Sequence, residues 1–299
     1  MATIACQSSE HFRLKQNKSG SWQVNEFHSL PRDTPPGLSG LSSISKRQLF
    51  AVAERNKSLL QIRKMEISAK PEILAIQVPQ IPNGLDLEAV ATLTGTSAWV
   101  GTEAKAAHRK GDALFKISWK DSTAKITAEL KMPYKQFSRM PEDANRSNRG
   151  IEGICISGNN LIVATELPLL LNEQRLAAFS IYSFESKTWT PFYAPLLSKT
   201  GKISGISCLV NKNTKEHTIL AIERHYEVAQ IVRIVVPQEL KKEETLSAER
   251  IVDLSVLFTK IPNLEGIVAH SEKSITLISD NQSATVRGRA VLVTLDRID

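Results

Sequence analysis

The stretch Gly150–Glu166 reads GIEGICISGNNLIVATE and contains two short apolar runs separated by the turn-forming residues SGNN. Runs of aliphatic and β-branched residues on either side of such a turn predict two antiparallel strands. Glu152 lies inside the first run, and Glu166 ends the second. A carboxylate inside an apolar strand is unfavourable unless it is paired, so the position of Glu152 needs an explanation.

The pattern of Gly150–Glu166 is repeated along the chain. The other copies are GLSGLSSISKRQLFAVAERN from Gly37, GLDLEAVATLTGTSAWVGTEA from Gly84, KISGISCLVNKNTKEHTILAIERH from Lys202 and NLEGIVAHSEKSITLISDNQ from Asn263. The first polar position is Ser39, Glu88, Glu152, Ser204 and Glu265, at intervals of 49, 64, 52 and 61 residues. The second acidic position is Glu54, Glu103, Glu166, Glu223 and Asp280, which follow their partners by 15, 15, 14, 19 and 15 residues. This register indicates an internal repeat.

Further strand-like stretches follow each copy, such as SLLQIRKMEI and EILAIQV after the first. Four strands in about 50–60 residues is the period of a β-propeller blade. We therefore predict an all-β fold, a five-bladed β-propeller of four-stranded blades over residues 21–299, preceded by an N-terminal extension over residues 1–20. The last copy has three strands, so residues 21–30 are expected to pair beside residues 288–298 and close the ring. A six-bladed propeller that uses the terminal strands is the alternative.

The first polar positions explain the buried glutamates, because the first strand of every propeller blade lines the central channel. These positions are therefore predicted to form a metal-binding ring of Ser39, Glu88, Glu152, Ser204 and Glu265. Three carboxylates at close range repel one another, so either their pKa values rise or a cation lies between them. Oxygen ligands without Cys or His suit Ca²⁺ rather than Zn²⁺, and Ca²⁺ is the expected cofactor. Alternatively, the acids hydrogen-bond to backbone amides of neighbouring blades.

The second acidic positions lie at the same end of the blade, because the first two strands of a blade are antiparallel. They are predicted to form an outer, catalytic ring of Glu54, Glu103, Glu166, Glu223 and Asp280. Substrate-binding candidates beside them are Arg55, Lys105, Arg149, Arg224, His225 and Asn281. Carboxylates mixed with cations fit a phosphate-handling or metal-assisted site. They equally fit a structural ion-pair network between blades, and both can hold at once.

Composition limits the class of partner. The net charge of +7 favours acidic partners such as phosphorylated small molecules. The Lys and Arg residues are scattered singly, which argues against nucleic acid, and no apolar run is long enough for a transmembrane segment.

Cys155 and Cys208 are expected to be small core residues rather than a disulfide. Cys6 follows TIA, as at a lipoprotein cleavage site. A periplasmic or extracellular location is expected if a signal sequence was trimmed, and an accidental match is the alternative.

These motifs resemble the phytase-like propeller family, described as "esterase-like activity of phytase", whose repeats carry E-G-[IL] and a later [SE]-[DE]-[RN]. The matching stretches are GIEGI, NLEGI, AERN, IERH and ISDN, between about Gly37 and Arg289. A more distant likeness is to calcium-activated apyrases, whose inner strands carry Ser, Glu, Glu, Ser and Glu around a calcium ion. That likeness implies the metal ligands named above and a substrate-binding role for Arg55 and Lys105. Glu166 and Glu223 replace basic residues of the apyrases, so the metal site transfers better than the nucleotide site.

Two functions remain open from the sequence. The first is metal-assisted hydrolysis of a phosphoester or phosphoanhydride, of the phytase-like or nucleotidase-like kind, which would make the protein a phosphatase. The second is a non-catalytic, calcium-stabilised propeller that binds an anionic ligand or a partner protein. A serine esterase is not supported, because the chain contains no G-x-S-x-G motif.

Overall fold

Strands account for nearly all regular structure in the computed structural model, which describes residues 14–54, 56–64, 70–104, 112–138, 150–211, 214, 216–225, 227–280 and 289–298. The predicted all-β class is therefore confirmed. No helix in this described part of the chain has the length and hydrophobicity needed to cross a bilayer.

The strands fall into five repeat units, each starting with a copy of the sequence motif. Two N-terminal strands come first, β1 (Lys18–Ser19) and β2 (Trp22–Ser29). Unit one contains β3 (Leu38–Ser45), β4 (Gln48–Ala53), β5 (Ser58–Arg63) and β6 (Glu72–Gln77). Unit two contains β7 (Leu85–Thr94), β8 (Ser97–Ala104), β9 (Ala113–Lys120) and β10 (Thr123–Lys131), and the 3₁₀ turn Tyr134–Gln136 follows it.

The remaining three units continue the series. Unit three contains β11 (Ile151–Ser157), β12 (Asn160–Thr165), β13 (Leu169–Leu171), β14 (Gln174–Ser183) and β15 (Trp189–Pro195). Unit four contains β16 (Lys202–Val210), β17 (His217–His225), β18 (Val228–Val236), β19 (Glu244–Thr245) and β20 (Glu249–Asp253). Unit five contains β21 (Asn263–Ser271), β22 (Ser274–Asp280) and β23 (Val291–Arg297).

The long strands of each unit form an antiparallel sheet. The short strand β13 pairs with β14 at the edge of unit three, and β19 pairs in parallel with β15 of unit three. The sheet orders are β3-β4-β5-β6, β7-β8-β9-β10, β11-β12-β14-β15, β16-β17-β18-β20 and β21-β22-β23-β2-β1. The first two sheets are joined by one parallel bridge between Gln77 and Thr123. Because β2 pairs antiparallel with β23, the N-terminal strand completes the unit that ends the chain. Leu14 forms a bridge with Phe258, and β1 pairs with β2, so residues 14–20 already contact the sheets.

The first strand of each unit contacts the first strand of the next. The contacts run β3 to β7, β7 to β11, β11 to β16, β16 to β21 and β21 back to β3. Small residues allow this approach, since a Cβ added at Gly266 would lie 2.6 Å from the carbonyl carbon of Gly40. A Cβ at Gly153 would likewise lie 2.8 Å from the amide nitrogen of Ile206. Neighbouring backbone therefore requires glycine directly after Ser39, Glu152 and Glu265.

Apolar side chains fill the space between neighbouring units. Five buried clusters are described, and each is shared by two consecutive units, including units five and one. In the cluster between units one and two, Phe50 contacts Trp119 with ring centroids 5.6 Å apart. Full burial of a large aliphatic or aromatic side chain contributes about 1.5–3 kcal/mol. Hydrophobic packing between neighbouring units therefore holds the inner strands in place. The buried polar residues on these strands are not part of that packing.

The cysteines differ from the expectation that both are unpaired core residues. Cys155 on β11 and Cys208 on β16 form a disulfide, with Cα atoms 5.6 Å apart. The physical reason is the repeat itself, because their separation of 53 residues is close to the interval of 52 between Glu152 and Ser204. Residues so spaced lie at nearly the same level on adjacent inner strands. The spacing of Cys155 and Cys208 therefore indicates that the two residues lie close together, which the number of cysteines alone does not.

Candidate functional site

Four of the five predicted metal ligands lie at β-bulges on inner strands. The pairing register of the inner hairpins shifts across Glu88, Glu152, Ser204 and Glu265. A bulge leaves one residue unpaired and re-aims its side chain. All four are buried, as is Ser39 on β3. The repeated motif thus places a polar side chain at the start of each innermost strand.

The two serines hold neighbouring inner strands together. Ser39 Oγ donates to the backbone oxygen of Glu88 at 2.6 Å, and Ser204 Oγ donates to that of Leu264 at 2.9 Å. Each bond joins a unit to the next unit along the chain. A hydroxyl that donates to a carbonyl retains its lone pairs, so both serines can still serve as oxygen ligands.

Three carboxylates from units two and three converge. One oxygen from each of Glu103, Glu152 and Glu166 lies within 4.8 Å of the others. Glu103 and Glu152 are buried and Glu166 is half-buried. Glu103 accepts a hydrogen bond of 2.7 Å from the amide of Gly150. We call these three residues the acid cluster.

The acid cluster and its neighbour Glu88 resist ionisation. Burial raises the pKa of Glu88 well above its usual value, and the charges of Glu54 and Glu152 raise it further. Burial followed by the charges of Glu103 and Glu265 does the same to the pKa of Glu152. The pKa of Glu103 rises to about 7 through burial, against the lowering effect of its bond from Gly150. A cation in this space would remove the repulsion.

Two cations from unit four lie against these acids. Lys202 Nζ forms an ion pair with Glu166, and burial lowers the pKa of Lys202. Arg224 forms an ion pair with Glu265, whose charge raises the pKa of Arg224 although burial acts in the opposite direction. The second oxygen of Glu265, Oε2, is buried and has no hydrogen-bond partner in the described part of the chain. That oxygen is available to a ligand.

The outer ring differs from its predicted composition in unit four. Strand pairing sets Glu103 opposite Asp86, Arg224 opposite Lys202 and Asp280 opposite Asn263. Glu54 and Glu166 occupy the same place in their units, because their amides donate to Gly37 and Gly150. The equivalent residues are therefore Glu54, Glu103, Glu166, Arg224 and Asp280. Arg224, predicted to bind substrate, stands where an acid was expected.

Glu223 is one residue out of this register and has another role. Its carboxylate accepts bonds from the amides of Leu197 and Ser198 at 2.9 and 2.8 Å, from Ser198 Oγ at 2.5 Å and from Gln230 Nε2 at 3.0 Å. Four donors satisfy a fully buried carboxylate. The residue in register, Arg224, is 20 residues from Ser204, against 14 or 15 in the other units, because the connection between Val210 and His217 is longer.

The other predicted residues are distributed around this end of the molecule. Asp280 ends β22, is buried, and accepts a bond of 3.3 Å from Asn263, which also donates to Glu265 at 2.8 Å. His225 ends β17 and is half-buried. The candidates Arg55, Lys105, Arg149 and Asn281 lie outside the described residues.

Sequence reasoning missed several residues of the site. Lys202 lies two residues before Ser204, where unit three has Gly150 before Glu152, so alignment of the copies was a signal for it. Asp112 is buried beside the acid cluster, where it accepts bonds from the amide of Ala104 at 2.9 Å and from the hydroxyl of Tyr134. Asp112 and Tyr134 lie outside the repeat, and nothing in the sequence pattern indicates them.

The donor set fits a hard divalent cation. The acid cluster, Glu88 and Glu265 offer oxygens only, and Glu265 Oε2 is buried with no hydrogen-bond partner among the described residues. Calcium takes about 6–8 oxygen ligands in flexible geometry, which bulged strands and a half-buried glutamate can supply. Fold and site together define a propeller-like all-β protein with a buried carboxylate centre where its inner strands begin.

The chain belongs to the Phytase-like family, described as "Esterase-like activity of phytase", which matches residues 12–283. The predicted family resemblance is therefore confirmed over most of the sequence. No curated protein sequence gives a significant match.

Solved structures agree with the fold. A thermostable family-43 glycoside hydrolase has a TM-score of 0.55 at 10% identity, over 90% of this chain and 92% of that one. The PQQ-bound aldose sugar dehydrogenase of Streptomyces coelicolor has a TM-score of 0.50 at 9% identity, over 94% of this chain and 99% of that one. A protein of unknown function from Dyadobacter fermentans has a TM-score of 0.50 at 8% identity, over 93% and 100% of the two chains. At such identities the similarity shows a propeller-like fold alone.

Proposed function

We propose that this protein is a five-bladed, calcium-binding propeller that hydrolyses phosphoesters or phosphoanhydrides where its inner strands begin. The observation that carries the proposal is the acid cluster, in which carboxylate oxygens of Glu103, Glu152 and Glu166 lie within 4.8 Å of one another. Buried like charges at this range persist only if protons or a cation compensate them. Membership of the Phytase-like family and propeller-like neighbours are compatible with a hydrolase.

The acid cluster would hold the cation, with Glu88 and Glu265 on its channel side. Ser39 and Ser204 remain predicted ligands. When bound, Ca²⁺ would neutralise the carboxylates and polarise a phosphoryl oxygen. Of the predicted catalytic acids, Glu54 and Asp280 remain to accept a proton from the attacking water.

The cations of unit four would bind the negative charge of the substrate. Lys202 and Arg224 are held against Glu166 and Glu265, so their positions are fixed before substrate arrives. Arg55, Lys105, Arg149, His225 and Asn281 remain predicted contacts for the same anion. Glu223 is left out of the catalytic set, because its carboxylate is saturated by backbone and side-chain donors.

A calcium-stabilised binding module is the second candidate. Two ion pairs, Lys202 with Glu166 and Arg224 with Glu265, favour it because they use site residues within the protein. In this reading the site binds an anionic ligand or partner without turnover.

The disulfide bears on location. Structural disulfides persist mainly in oxidising compartments such as the periplasm or the extracellular space. The pair Cys155–Cys208 therefore supports the proposal of a secreted or periplasmic protein.

The test compares wild type with Glu152→Gln and with the exposed control Glu185→Gln. Calcium binding is measured by calorimetry, and phosphate release is measured from nucleotides, phytate and aryl phosphates with and without calcium. We expect calcium-dependent release in the wild type and the control, and a loss of at least about tenfold in calcium affinity for Glu152→Gln. Calcium binding without phosphate release favours the binding module. Absence of calcium binding contradicts both candidates.

A further inference from the structure

A second polar pocket lies at the opposite end of the inner strands, between units five and one. It has a volume of 230 Å³, and its walls include Lys46, Arg47, Lys64, His270, Ser274 and Asp296. Lys46 follows the end of β3, whereas Ser39 is near its start, so about seven residues, or roughly 20 Å, separate the pocket from the acid cluster's end. The pocket is therefore distinct from the site described above.

The floor of the pocket is a closed hydrogen-bond network. Lys64 forms an ion pair with Glu26 and donates to Thr294 Oγ1 at 3.2 Å. Thr294 and Thr276 share a bond of 3.1 Å, and Thr276 is bonded to His270 Nε2 at 2.9 Å. These groups satisfy one another, so the floor holds its shape without a ligand.

Two buried polar atoms of the wall are unsatisfied. Ser274 on β22 and Asp296 on β23 are direct cross-strand partners, so their side chains lie on the same face of the sheet. Ser274 Oγ and Asp296 Oδ1 are buried and have no hydrogen-bond partner among the described residues. A hydroxyl beside a carboxylate oxygen can donate one bond and accept another. Together they fit one hydroxyl group of a ligand.

The rim is cationic. Lys46 and Arg47 lie in the turn between β3 and β4, are exposed, and form no ion pair with any described residue. The pKa of His270 falls to about 4 through burial, then through the charges of Lys64 and Lys46, so the imidazole is neutral. The positive charges of Lys46 and Arg47 suit an oxyanion, which arginine can bind through two parallel bonds.

We propose that this pocket binds a small hydroxylated oxyanion, with the oxyanion on Lys46 and Arg47 and a hydroxyl on Ser274 and Asp296. The volume of 230 Å³ is large enough for a three-carbon acid or phosphate. A hydroxy-carboxylate and a polyol phosphate share this chemistry.

The experiment is calorimetric titration of metal-free protein at low salt with four probes. Glycerate and glycerol 3-phosphate carry both groups, whereas propionate and inorganic phosphate lack the hydroxyl on carbon. We expect saturable binding of at least one hydroxylated probe, about fivefold or more tighter than its unhydroxylated counterpart, as one added hydrogen bond allows. The tighter of the two hydroxylated probes distinguishes the carboxylate from the phosphate.

Substitutions of the pocket residues test where the probes bind. Lys46→Gln/Arg47→Gln is expected to weaken binding at least about tenfold. The matched double variant of exposed lysines, Lys120→Gln/Lys125→Gln, and the acid-cluster variant Glu152→Gln are expected to bind as the wild type does. Ser274→Ala is expected to weaken the hydroxylated probe to the level of its counterpart. No saturation up to about 10 mM, or equal binding with and without the hydroxyl, overturns the proposal.

Discussion

Units three and four carry the same motif and pair their strands in the same register, yet the residues at their equivalent positions differ in charge. At the first polar position unit three has Glu152 and unit four has Ser204. At the outer position unit three has Glu166 and unit four has Arg224. Unit three thus contributes carboxylates in mutual repulsion, and unit four contributes the cations that oppose them.

The two buried glutamates of these units show what the difference means. Glu223 in unit four accepts four hydrogen bonds. Glu152 in unit three has instead the nearby charges of Glu103 and Glu265, and its pKa is raised first by burial and then by them. A carboxylate satisfied by donors is structural, whereas one whose pKa is raised by burial and by nearby carboxylates marks a site for a cation. The motif alone does not distinguish the two.

The largest effect is expected from Glu223→Ala. The substitution leaves the amides of Leu197 and Ser198 and the side chain of Gln230 without their acceptor, so the free energy of unfolding should fall by about 3–5 kcal/mol. Urea unfolding measures it. Glu152→Ala in calcium-free buffer is the matched comparison and should be neutral or stabilising. An equal loss of stability in both variants would contradict the distinction between Glu223 and Glu152.

The second largest effect is expected from removal of the disulfide between units three and four. Replacing Cys155 and Cys208 with serine should lower the free energy of unfolding by about 2–4 kcal/mol, because the unfolded chain regains the freedom of a closed loop. Thermal melts with and without reductant measure the effect. The reductant should shift the wild type and leave the double variant unchanged. A melting temperature insensitive to both changes would contradict a structural role.

The next largest effect is expected from the titration of the acid cluster. The pKa of Glu103 is about 7 in the folded protein against an ordinary 4.5, so the folded state holds a proton that the unfolded state loses. Stability is therefore expected to fall by about 2–3 kcal/mol as pH rises from 4.5 to 7. Unfolding of protein freed of divalent cations measures the slope. Glu103→Gln should reduce it, and saturating calcium should abolish it. A slope unchanged in Glu103→Gln would assign the titration to other groups.

The smallest effect is expected from Ser204→Ala. Its hydroxyl donates one bond of 2.9 Å to the backbone of Leu264, so about 1 kcal/mol should be lost. The exposed Ser186→Ala is the control for removal of a hydroxyl. Calcium affinity measured on the same samples distinguishes two roles of the hydroxyl. If Ser204 is a ligand, Ser204→Ala weakens calcium binding, and if Ser204 only joins strands, calcium binding is unchanged.

The residue pattern predicted the fold class, the repeat boundaries and the polar position on each inner strand. It did so because strand alternation and turn residues are local properties, and their repetition exposes the architecture. It placed Glu88, Glu152 and Glu265 on inner strands for the same reason. It set Glu223 in the outer ring, because a motif read along the chain does not show which residue of the longer hairpin in unit four pairs with Lys202.

The order of amino acids alone shows which residues recur and therefore predicts which strands are neighbours. Which of these residues act together depends on the folded arrangement. That arrangement brought Cys155 to Cys208, Lys202 to Glu166 and the Asp112–Tyr134 pair to the edge of the acid cluster. The first two contacts join different units, and all three depend on strand register and bulges that only packing fixes. Charge compensation in a buried site is a sum over neighbours in space, so no reading along the chain could supply it.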